Sequence, residues 1–92
     1  MLLYVITYDI ACNRRRQKVS DLLEGYGRRV QESVFECVLS RSKYRELQQK
    51  LKRHINDTED SVRFYPLSSH TRNKISIWGG PPVAELPRSL VV

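Results

Sequence analysis

Asp9 closes the apolar run LLYVITY, and a cationic block follows almost at once: Arg14, Arg15, Arg16 and Lys18, with Arg28 and Arg29 at the entry to the next extended stretch. A carboxylate at the end of a buried strand, among several guanidinium groups, has the chemistry of a hard-metal ligand beside a phosphate-gripping surface. Mg²⁺ takes oxygen ligands, keeps several waters and is usually held by only one or two carboxylates, and arginine forks match phosphate oxygens. A cation at Asp9 lowers the pKa of a bound water and polarises a phosphodiester oxygen, leaving Arg16 and Arg29 to stabilise charge developing on phosphorus. The same residue equally suits a turn, or an electrostatic cap near the first helix. A lone carboxylate is a weak metal site. A two-fold axis near the end of the first strand would bring Asp9 of two protomers together, where like charges would either raise one pKa or share a cation.

The elements that must position these groups are legible from periodicity. The β-branched and aromatic run from Leu2 to Tyr8 reads as a buried central strand. Val19, Leu22, Leu23 and Tyr26 then fall at i, i+3, i+4 and i+7, which predicts a helix from Arg14 to about Tyr26, with Asn13 capping its start and Gly25 or Gly27 ending it. RRVQESVFECVLS is extended, but its alternation slips at Glu32 and Ser33, where a bulge or tight turn divides it into two strands. A second helix starts after Ser40 or Ser42 and carries Tyr44, Leu47, Leu51 and Ile55 on one face; SVRFYPL is a fourth strand, and Lys74 to Trp78 a short fifth one after the polar loop SSHTRN. The order β-α-β-β-α-β predicts an α+β fold of the ferredoxin-like kind, an antiparallel sheet with two helices on one face and an extra C-terminal strand. We expect a ferredoxin-like domain over 1–78 and a tail over 79–92, broken from it by GGPP.

The composition bounds the rest. Ninety-two residues allow one domain, and a core this small is marginal, so a homodimer is expected. The apolar edge Val62, Phe64 and Leu67 of the fourth strand invites pairing with another chain, and the fifth strand can cross to cover it. A formal charge of +6 favours a polyanionic partner, nucleic acid before membrane. Twelve of the sixteen basic residues lie in two windows, 14–29 and 41–54, a clustering that fits a phosphate track, although lysine- and arginine-rich surface helices also serve solubility. The longest apolar stretch is far below the roughly 18 residues of a membrane span, and we expect a cytoplasmic protein with no membrane partner. Cys12 and Cys37 have no CxxC spacing and no nearby histidine, which predicts free thiols. An RNA-recognition motif shares this topology but needs stacking aromatics in a Gly-rich strand; SVFECVL offers only Phe35, which reads as core.

YVITYDI with its terminal Asp9, the basic helix NRRRQKVSDLLEGYG, RRVQESVFECVLS and DSVRFYPL, in this order and spacing over about residues 2–67, closely resemble the CRISPR-associated protein 2 family. The resemblance implies a ferredoxin-like homodimer acting in spacer acquisition, where it bridges dimers of the integrase, CRISPR-associated protein 1, and holds the protospacer duplex. It also implies a metal-dependent endonuclease acting on RNA or DNA, with Asp9 as Mg²⁺ ligand and catalytic aspartate. Position by position, it places Tyr8 beside Asp9 at the strand end, Arg16 at a basic position of the first helix, Arg29 at the entry to strand two, and Ser33 and Phe35 in the SVF that follows. Arg14, Arg15, Arg16, Arg28 and Arg29, with Tyr8, are then the expected nucleic-acid contacts. The sequence departs from the family pattern in the loop after Asp9, where Ile10, Ala11, Cys12 and Asn13 supply no second carboxylate. Two functions follow: a Mg²⁺-dependent phosphodiesterase, or a purely structural DNA-binding scaffold whose tail docks the integrase.

Overall fold

The computed structural model describes residues 1–85. Strand β1 (Leu2–Asp9) is followed by helix α1 (Asn13–Glu24), strands β2 (Arg28–Gln31) and β3 (Val34–Leu39), helix α2 (Arg41–Lys52), strand β4 (Ser61–Leu67) and the single-turn helix α3 (Ser69–Arg72). The sheet order is β2-β3-β1-β4, with every pairing antiparallel. This is the expected ferredoxin-like α+β arrangement, with β1 central and β4 at an edge.

Alternation along β1 sorts its side chains by face. Tyr4, Ile6 and Tyr8, with Ile10 just beyond, join Val19 and Leu23 of α1, Phe35 and Cys37 of β3, and Leu47 and Leu51 of α2 in the core. Leu47 is 0% exposed, so this one side chain contributes about 1.5–3 kcal/mol of transfer free energy. Tyr44 stacks on Tyr4, ring centroids 3.9 Å apart and 9° from parallel, which seats α2 on β1. Leu3, Val5, Thr7 and Asp9 point to the opposite, helix-free face. They share it with their register partners Leu67, Tyr65, Arg63 and Ser61 of β4 and with Val38, Glu36 and Val34 of β3.

The turn expected at Glu32 and Ser33 separates β2 from β3, and a register shift between Arg29 and Gln31 leaves Val30 as the extra residue of a bulge. Gly27 is required where the chain leaves α1 and runs over β3: a Cβ there would lie 2.4 Å from both the Glu36 carbonyl oxygen and Cys37 Sγ. Ser40 caps α2, its hydroxyl accepting from the Lys43 amide at 3.2 Å.

Four expectations are corrected. Asn13 is the first helical residue of α1 rather than its cap; Cys12 stands at the N-cap without a side-chain bond, and the Asn13 amide oxygen is taken by Arg16 instead. The helix ends at Glu24, because the Gly25, Tyr26 and Gly27 amides turn back onto the Leu22 and Leu23 carbonyls. The loop SSHTRN contains the turn α3, capped by Ser68. Lys74–Trp78 is irregular and pairs with no strand among the described residues. Beyond it, Gly79 and Gly80 take positive φ of 85° and 82°, values that only glycine adopts cheaply. The chain then returns to the helix-free face: Arg28 donates to the Pro82 carbonyl, Arg72 to the Ala84 carbonyl, and the Ala84 amide to Glu36 Oε1 at 3.0 Å. Residues 86–92 of the expected tail, including Leu90, Val91 and Val92, lie outside the described residues.

Candidate nucleic-acid interface and carboxylate site

Asp9 is exposed at the end of the central strand, opposite Ser61 of β4 and on the helix-free face. Its neighbours in sequence are anchored. Tyr8 is 6% exposed, its ring packs against Phe35 at a centroid distance of 6.3 Å, and its hydroxyl donates to the Glu32 carbonyl at 3.3 Å. Ile10 is 3% exposed in the core, and its carbonyl accepts from Arg16 Nη1 at 2.8 Å. The site is therefore one outward carboxylate between two inward, buried side chains.

The arginines divide by what already holds them. Arg15 is engaged by Asp60, Nε to Oδ2 at 2.8 Å, and by Glu59, Nη2 to Oε2 at 2.9 Å. That contact, reinforced by the Asn56 amide, holds the Asp60 carboxyl below the usual carboxylate range, and Asp60 in turn raises the Arg15 pKa. Arg16 reaches the Ile10 and Ala11 carbonyls and the Asn13 side chain. Arg29 donates to the Glu32 carbonyl and the Ser20 hydroxyl and lies over the Phe35 ring, 5.0 Å from its centroid. Arg28 holds the Pro82 carbonyl. Of the five arginines expected to touch nucleic acid, only Arg14 is exposed with no carboxylate or carbonyl partner among the described residues.

The structure thus separates groups that the sequence placed together. Arg29 pairs with Phe35 on the helix face, whereas Asp9 is on the other face, so the two do not converge from one side of the sheet. Arg16, Arg29, Tyr8, Asn13, Ser20 and Glu32 instead line a polar cleft of about 350 Å³ along the N-terminal half of α1. Ser20 and the Glu32 carbonyl were not legible as members of it. Ser20 lies one helical turn beyond Arg16, a spacing that carries the signal; a backbone carbonyl carries none.

On the helix layer the exposed cations without an ion pair among the described residues are Arg14 and Lys18 of α1, and Arg41, Arg45, Lys52 and Arg53 at α2. Lys43 and Lys50 lie 3.4 and 3.9 Å from Glu46, at helical i,i+3 and i,i+4 spacing. The unpaired positive charge of the helix layer thus belongs to exposed positions of α1 and of α2 with its C-cap.

The metal-ligating potential of one chain is limited. Among the described residues no group of three His, Cys, Asp or Glu side chains converges. Asp9 with the Ser61 position opposite offers oxygen donors on an exposed face, which suits a hydrated Mg²⁺ shared with a second carboxylate and not a closed cage. No helix among the described residues is long and apolar enough to cross a membrane.

Comparison with known proteins agrees with this geometry. A family model described as CRISPR associated protein Cas2 matches residues 1–75. The chain is 59% identical over 92 residues, all of both chains, to CRISPR-associated endoribonuclease Cas2 3 of Synechocystis sp.. The solved structure of Streptococcus pyogenes Cas2 superposes with a TM-score of 0.74 at 30% identity, covering 84% of this chain and 99% of that one. A chain of a partial Cas6-RT-Cas1–Cas2 complex does so with a TM-score of 0.77 at 36% identity, covering 100% of both.

Proposed function

Because the chain belongs to the CRISPR-associated protein Cas2 family, we propose that it acts in spacer acquisition as a nucleic-acid-binding homodimer that bridges the integrase and holds the protospacer duplex. An endonuclease activity dependent on Mg²⁺ and Asp9 accompanies that role. The likeness to a chain of a Cas1–Cas2 complex supports the integrase partnership, and relatives named endoribonuclease or endonuclease support the nuclease.

The observation that carries the reading is the helix-free sheet face with Asp9 at its end. Val5 and Val34 on that face are only partly covered and Tyr65 is 46% exposed, apolar surface set among Thr7, Glu36 and Arg63 that a second copy would bury. The exposed Ile77 and Trp78 belong to the segment expected to lie along the β4 edge of that second copy. Such stacking juxtaposes the two strand ends and their Asp9 carboxylates, which would hold one Mg²⁺ between them. When bound, the ion supplies Lewis acidity toward a phosphodiester oxygen and a more acidic water. This chain's own contribution is to present Asp9 on a fixed strand end and to grip the phosphate backbone with Arg14, Lys18 and the cations of α2.

The deciding experiment pairs sedimentation with cleavage. A dimer at micromolar concentration is expected. Asp9→Ala should lower Mg²⁺-dependent cleavage at least a hundredfold while leaving both the dimer and the duplex affinity in place. Cleavage surviving at the wild-type rate would refute the catalytic part and leave the scaffold. A monomer would remove the shared carboxylate site and the bridge together.

A further inference from the structure

We propose that Arg16 is a positioning residue for Asp9 and not a phosphate contact, a role that rests on the nuclease reading above. The guanidinium faces inward, toward its own backbone. Nη1 donates to the Ile10 carbonyl at 2.8 Å and to the Ala11 carbonyl at 3.3 Å, while Nη2 meets the Asn13 amide oxygen. The two carbonyls lie in the loop between Asp9 and α1, with the Asn13 side chain at the first helical position, and neither carbonyl is satisfied by the sheet or the helix: β1 ends at Asp9, and the first intrahelical acceptor is the Cys12 carbonyl, which takes the Arg16 amide at 2.9 Å.

On the other side of Asp9 the strand is held through Tyr8, whose hydroxyl shares the Glu32 carbonyl with Arg29. Arg29 in turn is braced by Ser20, the only buried polar residue recorded among the described residues. Asp9 is thus clamped from both flanks, by Tyr8 and Arg29 through one carbonyl and by Arg16 through two. Fixing a metal-ligating or general-base carboxylate within a fraction of an ångström is worth rate, because a small misplacement is costly in the transition state.

The planar fork matters. A lysine keeps the charge but presents one ammonium that cannot span two carbonyls and a side-chain amide in this geometry. A phosphate contact would tolerate Arg16→Lys; a clamp would not. We therefore compare wild type, Arg16→Lys and Arg16→Ala in the full chain, measuring kcat and KM for Mg²⁺-dependent cleavage, the salt dependence of duplex binding, and backbone ¹⁵N order parameters over residues 10–12.

The clamp predicts that both variants lose at least tenfold in kcat with KM within twofold. It also predicts order parameters falling from about 0.85 toward about 0.6, and an unchanged salt slope. Restoration of kcat by lysine, or a slope reduced by about 0.9 in Arg16→Ala, would overturn it in favour of a phosphate contact. If the wild-type protein itself shows no Asp9-dependent cleavage, the nuclease reading fails separately. Order and slope then decide the clamp: a looser loop with an unchanged slope supports it, and an unchanged loop refutes it.

Discussion

The Arg15 guanidinium closes on the Asp60 carboxylate, Nε to Oδ2 at 2.8 Å, and so ties the first turn of α1 to the turn that feeds β4. The Asp60 side chain is fully covered by this arrangement, and Arg15 takes Glu59 as well. A cation that sequence alone assigns to a phosphate track is therefore committed to holding the two outer elements of the site end together.

This pairing has a pH signature. The Asp60 carboxyl is held below its ordinary range, chiefly by Arg15 and then by the Asn56 amide. A carboxylate depressed in the folded state contributes stability above its unfolded pKa of about 3.9 and loses it as pH falls through the lower folded value. Arg15→Ala removes the principal cause of the depression, so acid unfolding should begin at higher pH. Circular dichroism along an acid titration checks this, and coincident wild-type and variant curves would contradict it.

Duplex binding should distinguish two arginines that are adjacent in sequence. Arg14→Ala is expected to lower the slope of log K against log salt by about 0.9, the release of one counterion contact, whereas Arg15→Ala should leave it unchanged. Filter binding or fluorescence anisotropy across a salt series provides the comparison. Equal effects at both positions would mean that Arg15 leaves Asp60 on binding.

The two thiols should behave differently. Burial pushes the Cys37 thiol up to about 12, and it is fully covered by the core. Cys12, half-buried at the N-cap of α1, is lowered chiefly by the Arg15 amide. Alkylation of native protein near pH 8 should therefore modify Cys12 alone, with Cys37 reacting only after unfolding; mass spectrometry of peptides reads the order.

Gly27→Ala should destabilise the fold by about 1–3 kcal/mol, as overpacking does. The added methyl meets backbone and sulfur at 2.4 Å, and neither is the free end of a flexible side chain. Denaturant unfolding with an unchanged midpoint would show that the α1 exit can lift from β3 at no cost.

The sequence was most informative where a period met a packed face. Tyr4, Ile6 and Tyr8 alternate into the core, and Leu47 and Leu51 repeat at helical spacing, so the order of elements and their burial could be read from side-chain type. Asp9 was legible because a charge ended an apolar run. The arginines were not, since charge and clustering are the same whether a guanidinium faces solvent, as in Arg14, or a carbonyl, as in Arg16. The Lys74–Trp78 segment has strand-like residues, but strand formation needs an edge within reach, and the turn α3 and the bends around it carry this segment away from the free edge of β4 in its own chain. Reversal at Gly79 and Gly80 and the return of Pro82 and Ala84 to the sheet depend on backbone acceptors that no residue type announces.

The β2-β3-β1-β4 order has a kinetic consequence. The first strand of the chain is the innermost of the sheet, and its terminal Asp9 is paired to Ser61 on the last strand to be made. Local hairpin closure of β2 on β3 can come early, but the Asp9 end waits for a contact of long sequence separation, whose loop-closure entropy must be met before pairing rewards it. During synthesis the carboxylate end therefore acquires its final geometry only after both helices exist, and a chain interrupted before β4 carries Asp9 on an unpaired strand end.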